Sequence, residues 1–145
     1  MHVYTECGGR NMSPVLTWSY PPEGTKSFAI TMFDKTANGG AGWLHWIVLN
    51  IPAETRVFPR GMGMAQQPLP DGVNVIPNSW GHAGYDGPCP PAGDDREHQY
   101  IITIYAMAGE HLEYPLNGIG QSTLNWLEDN ALSTATVKTR YLREP

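Results

Sequence analysis

Four side-chain types in this 145-residue chain are spaced so that they could do chemistry together. Asp34 closes the apolar run "KSFAITMFD", a small-residue loop follows, and His45 then stands inside "WLHWIV". His98 and Tyr100 open a third apolar run, "HQYIITIYAM", and Cys89 lies in the loop "GYDGPCPPAGDDREH" that leads to it. A carboxylate beside an imidazole fixes its tautomer and favours the imidazolium form. An imidazolium in turn donates hydrogen bonds to anionic oxygens. In the loop, Pro88, Pro90 and Pro91 remove three backbone donors and stiffen the chain. Gly87 opens backbone conformations closed to other residues, so the N–H groups of Gly87 and Cys89 can face an anion.

Each of these residues also has a plain explanation. A half-buried histidine usually satisfies its nitrogens with backbone groups, and a carboxylate at a strand end usually caps a turn. Loops rich in proline and glycine are commonly only turns. A nucleophilic reading needs Cys89 with His98 or His45 and Asp34, a hydrolase-like set in which imidazolium activates a thiol. Cys89 sits in a proline-bound loop with no helix N-terminus behind it, so a binding protein, and not an enzyme, is the expectation. A metal is not expected either: His45, His82, His98 and Asp34 lack tight ligand spacing such as HxxxH.

The elements that must position these groups read mainly as strands. "KSFAITMFD" alternates, with Phe28, Ile30 and Met32 on one face. "WLHWIVLNI" is almost continuously apolar, which predicts a strand covered on both faces. Strict alternation there places His45 with Trp43, Ile47 and Leu49. "VNVI" is a short strand candidate, and "HQYIITIYAM" puts His98 and Tyr100 on one face. "STLNWLEDNAL" predicts one late helix, with Leu124, Leu127 and Ala131 on one face and Ser122 or Thr123 as N-cap. "TATVKTRYL" returns to alternation, with Ala135, Val137 and Tyr141 on one side. Strands that do not alternate with helices predict a mainly β fold, a sandwich of antiparallel or mixed sheets in one domain over residues 1–145.

Composition bounds the partners. Hydrophobic residues make up 41% and charged ones 16%, and the 16 glycines and 13 prolines are spread along the chain. A net charge of -5 argues against nucleic acid and against a polybasic membrane contact. No apolar run reaches the length of a membrane span. The start, "MHVYTECGGRNMSP", has no basic segment followed by an apolar one, which predicts a cytoplasmic address. Cys7 and Cys89 are expected as free thiols, since a bridge needs Cα atoms within about 7 Å. Trp and Tyr near the pocket would favour a homodimer.

Several separated stretches together resemble the phosphatidylethanolamine-binding protein family, and within it the short bacterial and archaeal Raf kinase inhibitor-like branch. They are "CGGRNMSPVLTWSYPPEGTKSFAITMFD", "GWLHWIVLNIP", "GYDGPCPPAGDDREHQYIITIYAM" and the terminal helix followed by "YL". The resemblance implies a Greek-key β-sandwich with one short C-terminal helix. It also implies a small pocket for phosphoryl anions such as a phospholipid headgroup, and a regulatory or inhibitory role towards a kinase or protease. The family's acidic motif falls on "DKTAN", so its first aspartate is Asp34, while its second aspartate and both prolines are missing. Its tryptophan and histidine fall on Trp43 and His45. Its glycine-proline loop falls on "GPCPP", with Cys89 where glycine is common, followed by Pro90 and Pro91. Its His-Arg-Tyr motif falls on His98, Gln99 and Tyr100, without the arginine. The implied ligand-binding set is Asp34, Trp43, His45, Tyr85, Gly87, Cys89, Pro90, Pro91, His98 and Tyr100, with no cofactor.

Overall fold

The computed structural model describes residues 1–6, 13–35, 42–59, 62, 69, 72–79, 83–85, 98–110, 112 and 121–141, with backbone alone at 4–6, 98–99, 121–122 and 139–141. Strands β1 (His2–Glu6), β2 (Val15–Ser19) and β5 (Val57–Phe58) form a small antiparallel sheet in the order β1-β2-β5. Strands β3 (Ser27–Asp34), β4 (Trp43–Pro52), β6 (Asn74–Val75), β7 (His98–Met107) and β8 (Ala131–Tyr141) form a larger one in the order β6-β4-β3-β7-β8. A single helix among the described residues, α1 (Gln121–Asn130), precedes β8. The mainly β expectation is met. β7 returns by a long connection to the side of β3 away from β4, as a Greek-key arrangement calls for.

Alternation along β3 explains the layers. Phe28, Ile30 and Met32 face the small sheet and pack with Leu16, Trp18 and Phe58. Trp18 meets Phe28 at 5.4 Å between ring centroids, and Trp46 meets Phe58 at 5.7 Å. Each such fully buried side chain contributes roughly 1.5–3 kcal/mol relative to exposure. On the opposite face of the large sheet, Ala29, Ile47, Leu49, Tyr105 and Met107 lie under Leu124 and Leu127 of α1. The helix carries no acidic residue in its first turn and no basic one in its last, so this packing holds it in place more than its dipole does. Apolar layers on both sides account for the nearly unbroken hydrophobic sequence of β4.

β4 departs from regular pairing twice. Met32 pairs with Trp46 and Phe33 with Leu44, so His45 is an extra residue; Phe28 pairs with Ile51 and Ile30 with Val48, so β4 again has one residue too many beside Ala29. Asn50, at φ 63°, takes the left-handed conformation within that second bulge. Asparagine enters this region at less cost than most residues. The first bulge keeps His45 on the side of Trp43 and Asp34 but parts it from Ile47 and Leu49, which alternation groups with it. Ile47 and Leu49 pack beneath α1, whereas the His45 ring meets Asp34 and Tyr100 on the inner side. A one-residue insertion shifts every side chain beyond it to the other face, and strict alternation cannot register that.

Two smaller expectations also change. α1 starts at Gln121, so Ser122 and Thr123 belong to its first turn and are not its N-cap. Ala131 opens β8 instead of extending the helix, whose last turn is closed by the Asn130 amide donating to the Trp126 carbonyl at 2.8 Å. β1, β2 and β5 have no counterpart among the predicted elements. They are two to five residues long, too short for periodicity to separate them from loops.

Candidate functional site

Three neighbouring strands place one residue each at the same end of the large sheet. Asp34 lies opposite Trp43 in the β3–β4 register and opposite Tyr100 in the β3–β7 register. Cross-strand partners share a face, so a tryptophan, a carboxylate and a phenol stand in one row. Gly42, at φ +90°, brings the chain into β4 directly before this row. A Cβ there would overlap the Phe33 ring, so the close approach requires glycine.

The bulge then delivers the imidazole. His45 Nε2 lies 4.0 Å from Asp34 Oδ2, and its ring meets the Tyr100 ring edge-on at 5.5 Å and 82°. Asp34 is 2% exposed, His45 8% and Tyr100 4%. A carboxylate this deeply buried is costly without compensation, and the His45 ring lies at ion-pair distance from it. At 4.0 Å the contact is longer than a hydrogen bond. The expectation that Asp34 accepts a hydrogen bond from a histidine is therefore not met between these two atoms.

The predicted site residues separate into three groups. Asp34, Trp43, His45 and Tyr100 are brought together. Tyr85 is 2% exposed with its ring against Trp46 at 5.4 Å and 88°, so the ring belongs to the core between the sheets. Gly87, Cys89, Pro90 and Pro91, together with Cys7 and His82, lie outside the described residues. His98 is described in backbone only, at the first position of β7 opposite Tyr141 and two residues before Tyr100.

Sequence reading passed over Asn78. It is fully buried, and its amide donates to the His45 carbonyl at 3.3 Å and to the Gly84 carbonyl at 3.2 Å. The neighbouring Ser79 binds Leu44 twice, accepting from the Leu44 N–H through Oγ and donating its own N–H to the Leu44 carbonyl, each at 2.9 Å. Asparagine and serine after a proline signal a turn, and no local pattern distinguishes a turn from a strap along β4.

A cavity of about 490 Å³ opens at the other end of the large sheet, with Lys26, Asn50, Glu54, Gly72 and Glu110 in its walls. The three charged side chains there are exposed. Asn50 donates to Asn74 Oδ1 at 2.8 Å and to the Leu112 carbonyl at 3.2 Å, and accepts from the Leu112 N–H at 2.6 Å. Among the described residues no group of three His, Cys, Asp or Glu could hold a metal ion. Nor is any described helix long and apolar enough to cross a membrane.

A two-sheet β fold with an aspartate, a histidine and two aromatic residues gathered at one sheet end defines a ligand-binding protein of the phosphatidylethanolamine-binding type. The chain belongs to that family, whose profile, described as Phosphatidylethanolamine-binding protein, matches residues 2–142. Among its relatives, UPF0098 protein YbhB of Escherichia coli is 45% identical over 114 residues, spanning 77% of this chain and 71% of that one. UPF0098 protein YbcL of the same organism is 41% identical over 143 residues, 97% of this chain and 78% of that protein. The crystal structure of E. coli YbcL, described as a new member of the mammalian PEBP family, superimposes with a TM-score of 0.84 at 34% identity, covering 99% of this chain and 98% of that one. The Mycobacterium tuberculosis protein described as putative lipoprotein LppC is 41% identical over 103 residues, 71% of this chain and 47% of that one.

Proposed function

We propose that this chain binds small phosphoryl-bearing anions, free or as a phospholipid headgroup, in a pocket at the Asp34 end of the large sheet. The observation that carries the reading is the Asp34–His45 pair at 4.0 Å, buried against Tyr100. Asp34 would repel an anion that touched it, so its part is to hold His45 as the imidazolium. His45 and His98 then donate to the phosphoryl oxygens, with a backbone N–H from the Gly87–Cys89 stretch as a further donor. Tyr100 and Tyr85 supply hydroxyl groups, and Trp43 forms an apolar wall suited to an ethanolammonium cation. Pro90 and Pro91 complete the ligand-binding set in this reading. No step requires a metal or a cofactor.

Calorimetric titration with inorganic phosphate and with O-phosphoethanolamine tests this directly. Affinity should rise as pH falls towards about 6, because histidine gains its proton in that range. Sulfate keeps its charge across the same interval and separates protein titration from ligand titration. Equal affinity for sulfate at both ends of the interval would remove imidazolium from the mechanism.

Residues 1–145 act as one domain in this reading, and the biological setting is regulation or inhibition of a kinase or protease, carried by family analogy alone. Self-association is included, and light scattering on the purified chain tests it. The address we infer is cytoplasmic. Because a mycobacterial relative is described as a putative lipoprotein, cell fractionation is the corresponding check.

A further inference from the structure

We propose that Asn78 is a positioning residue for the anion pocket, locking the His45 bulge to Gly84, which leads into the proline-rich stretch of the sequence. The inference rests on the pocket reading above. The chain from Ile76 to Ser79 runs beside β4 and bonds to it on both sides of the bulge: Ile76 N–H donates to the Ile47 carbonyl at 3.0 Å, and Ser79 N–H to the Leu44 carbonyl at 2.9 Å. Between them stands Pro77, which has no N–H to give. The extra residue of β4 disturbs regular pairing beside the bulge. The Asn78 amide takes over, donating to the His45 carbonyl at 3.3 Å.

The second amide hydrogen reaches the Gly84 carbonyl at 3.2 Å. Gly84 precedes Tyr85, whose ring packs on Trp46 next to His45, and the loop with Gly87 and Cys89 follows directly. One fully buried side chain thus ties the segment carrying the imidazole to the segment that would carry the backbone donor. Both acceptors are carbonyls, so the position needs two N–H groups on a short side chain. Aspartate has the same shape but presents lone pairs to both carbonyls. Serine reaches at most one of them.

The test is a double-mutant cycle in the full chain, read by calorimetric titration with inorganic phosphate. Asn78→Ser should weaken phosphate binding by about tenfold, the scale of a displaced charge-assisted hydrogen bond. In a His45→Gln background the same change should cost clearly less, about threefold, because only the tie to the loop through Gly84 is left to lose. Equal losses in both backgrounds would overturn the proposal. A readout without ligand accompanies it: the NMR pH titration of the His45 ring should shift between wild type and Asn78→Ser, and an unshifted titration overturns the proposal independently. If wild type fails to bind phosphate, the pocket reading falls, while the His45 titration still decides whether Asn78 positions that ring. Should Asn78→Ser not fold, Asn78→Asp is measured in its place. Loss of folding in both variants would make Asn78 a general stability residue and end the positioning claim.

Discussion

At both ends of β4 one extra residue sets a polar side chain among buried neighbours, yet the two ends differ in kind. Near the end of the strand the residue is Asn50, and its amide is bonded to Asn74 and to both backbone groups of Leu112. Near the start it is His45, whose ring stands 4.0 Å from a buried carboxylate and edge-on to Tyr100. The Asn50 bulge is a pin: a neutral group satisfied by the fold and indifferent to pH. The His45 bulge holds an ionisable pair. Burial alone does not separate the two, since Asn50 is 6% and His45 8% exposed. What separates them is whether the neighbours are fixed amides or another titratable group.

The largest effect should come from breaking the pin. Asn50→Ala leaves the Leu112 N–H and carbonyl without their partner and puts alanine at φ 63°. Chemical denaturation should show a loss of about 2–4 kcal/mol. Phosphate affinity should be unchanged, and a parallel loss of affinity would erase the contrast between the two ends. Asn50→Gly tolerates the backbone angle and should recover about 1 kcal/mol of that loss.

Changing the other bulge should give the reverse profile. His45→Gln should weaken phosphate binding by at least about tenfold, near 1.4 kcal/mol, with a melting temperature close to that of wild type. Asp34→Asn should cost a smaller factor, about threefold, and flatten the dependence of affinity on pH, because the imidazolium loses its carboxylate. Sulfate titrations at two pH values measure both. If Asp34→Asn destabilises the fold without changing binding, the carboxylate belongs with Asn50 as a structural group.

The smallest effect concerns the face of the large sheet that α1 covers. Burial first, and Glu128 to a lesser degree, push the Tyr105 hydroxyl above its ordinary value of 10.0, against hydrogen bonds to Thr31 and Thr103. The folded chain holds this proton more tightly than the unfolded one. Its contribution is therefore intact below the ordinary tyrosine range and lost as pH rises through the folded value. Tyr105→Phe should cost less than about 1 kcal/mol at neutral pH. Above about pH 10 its stability should fall less steeply than that of wild type.

The strands that hold the site were legible where hydrophobic pattern is long. β3, β4 and β7 each run eight or ten residues, enough for period two to appear, and Asp34, His45 and Tyr100 were placed near their ends on that basis. The short strands β1, β2 and β5 carry almost no periodicity, whereas β6 falls within the predicted candidate "VNVI". Asn78 was hidden for another reason: its partners are 33 residues back and 6 ahead, and nothing in "PNSW" announces a long-range bond.

The residue types alone determined a β-rich chain, both apolar faces of β4 and a carboxylate and imidazole at strand ends, because side-chain period and burial are local properties. Only the tertiary structure decided which face His45 takes, since the answer depends on how many residues the partner strand sets against it. It also decided that Asn50 pins and that Asn78 straps, because a hydrogen bond between distant segments exists only after those segments have met.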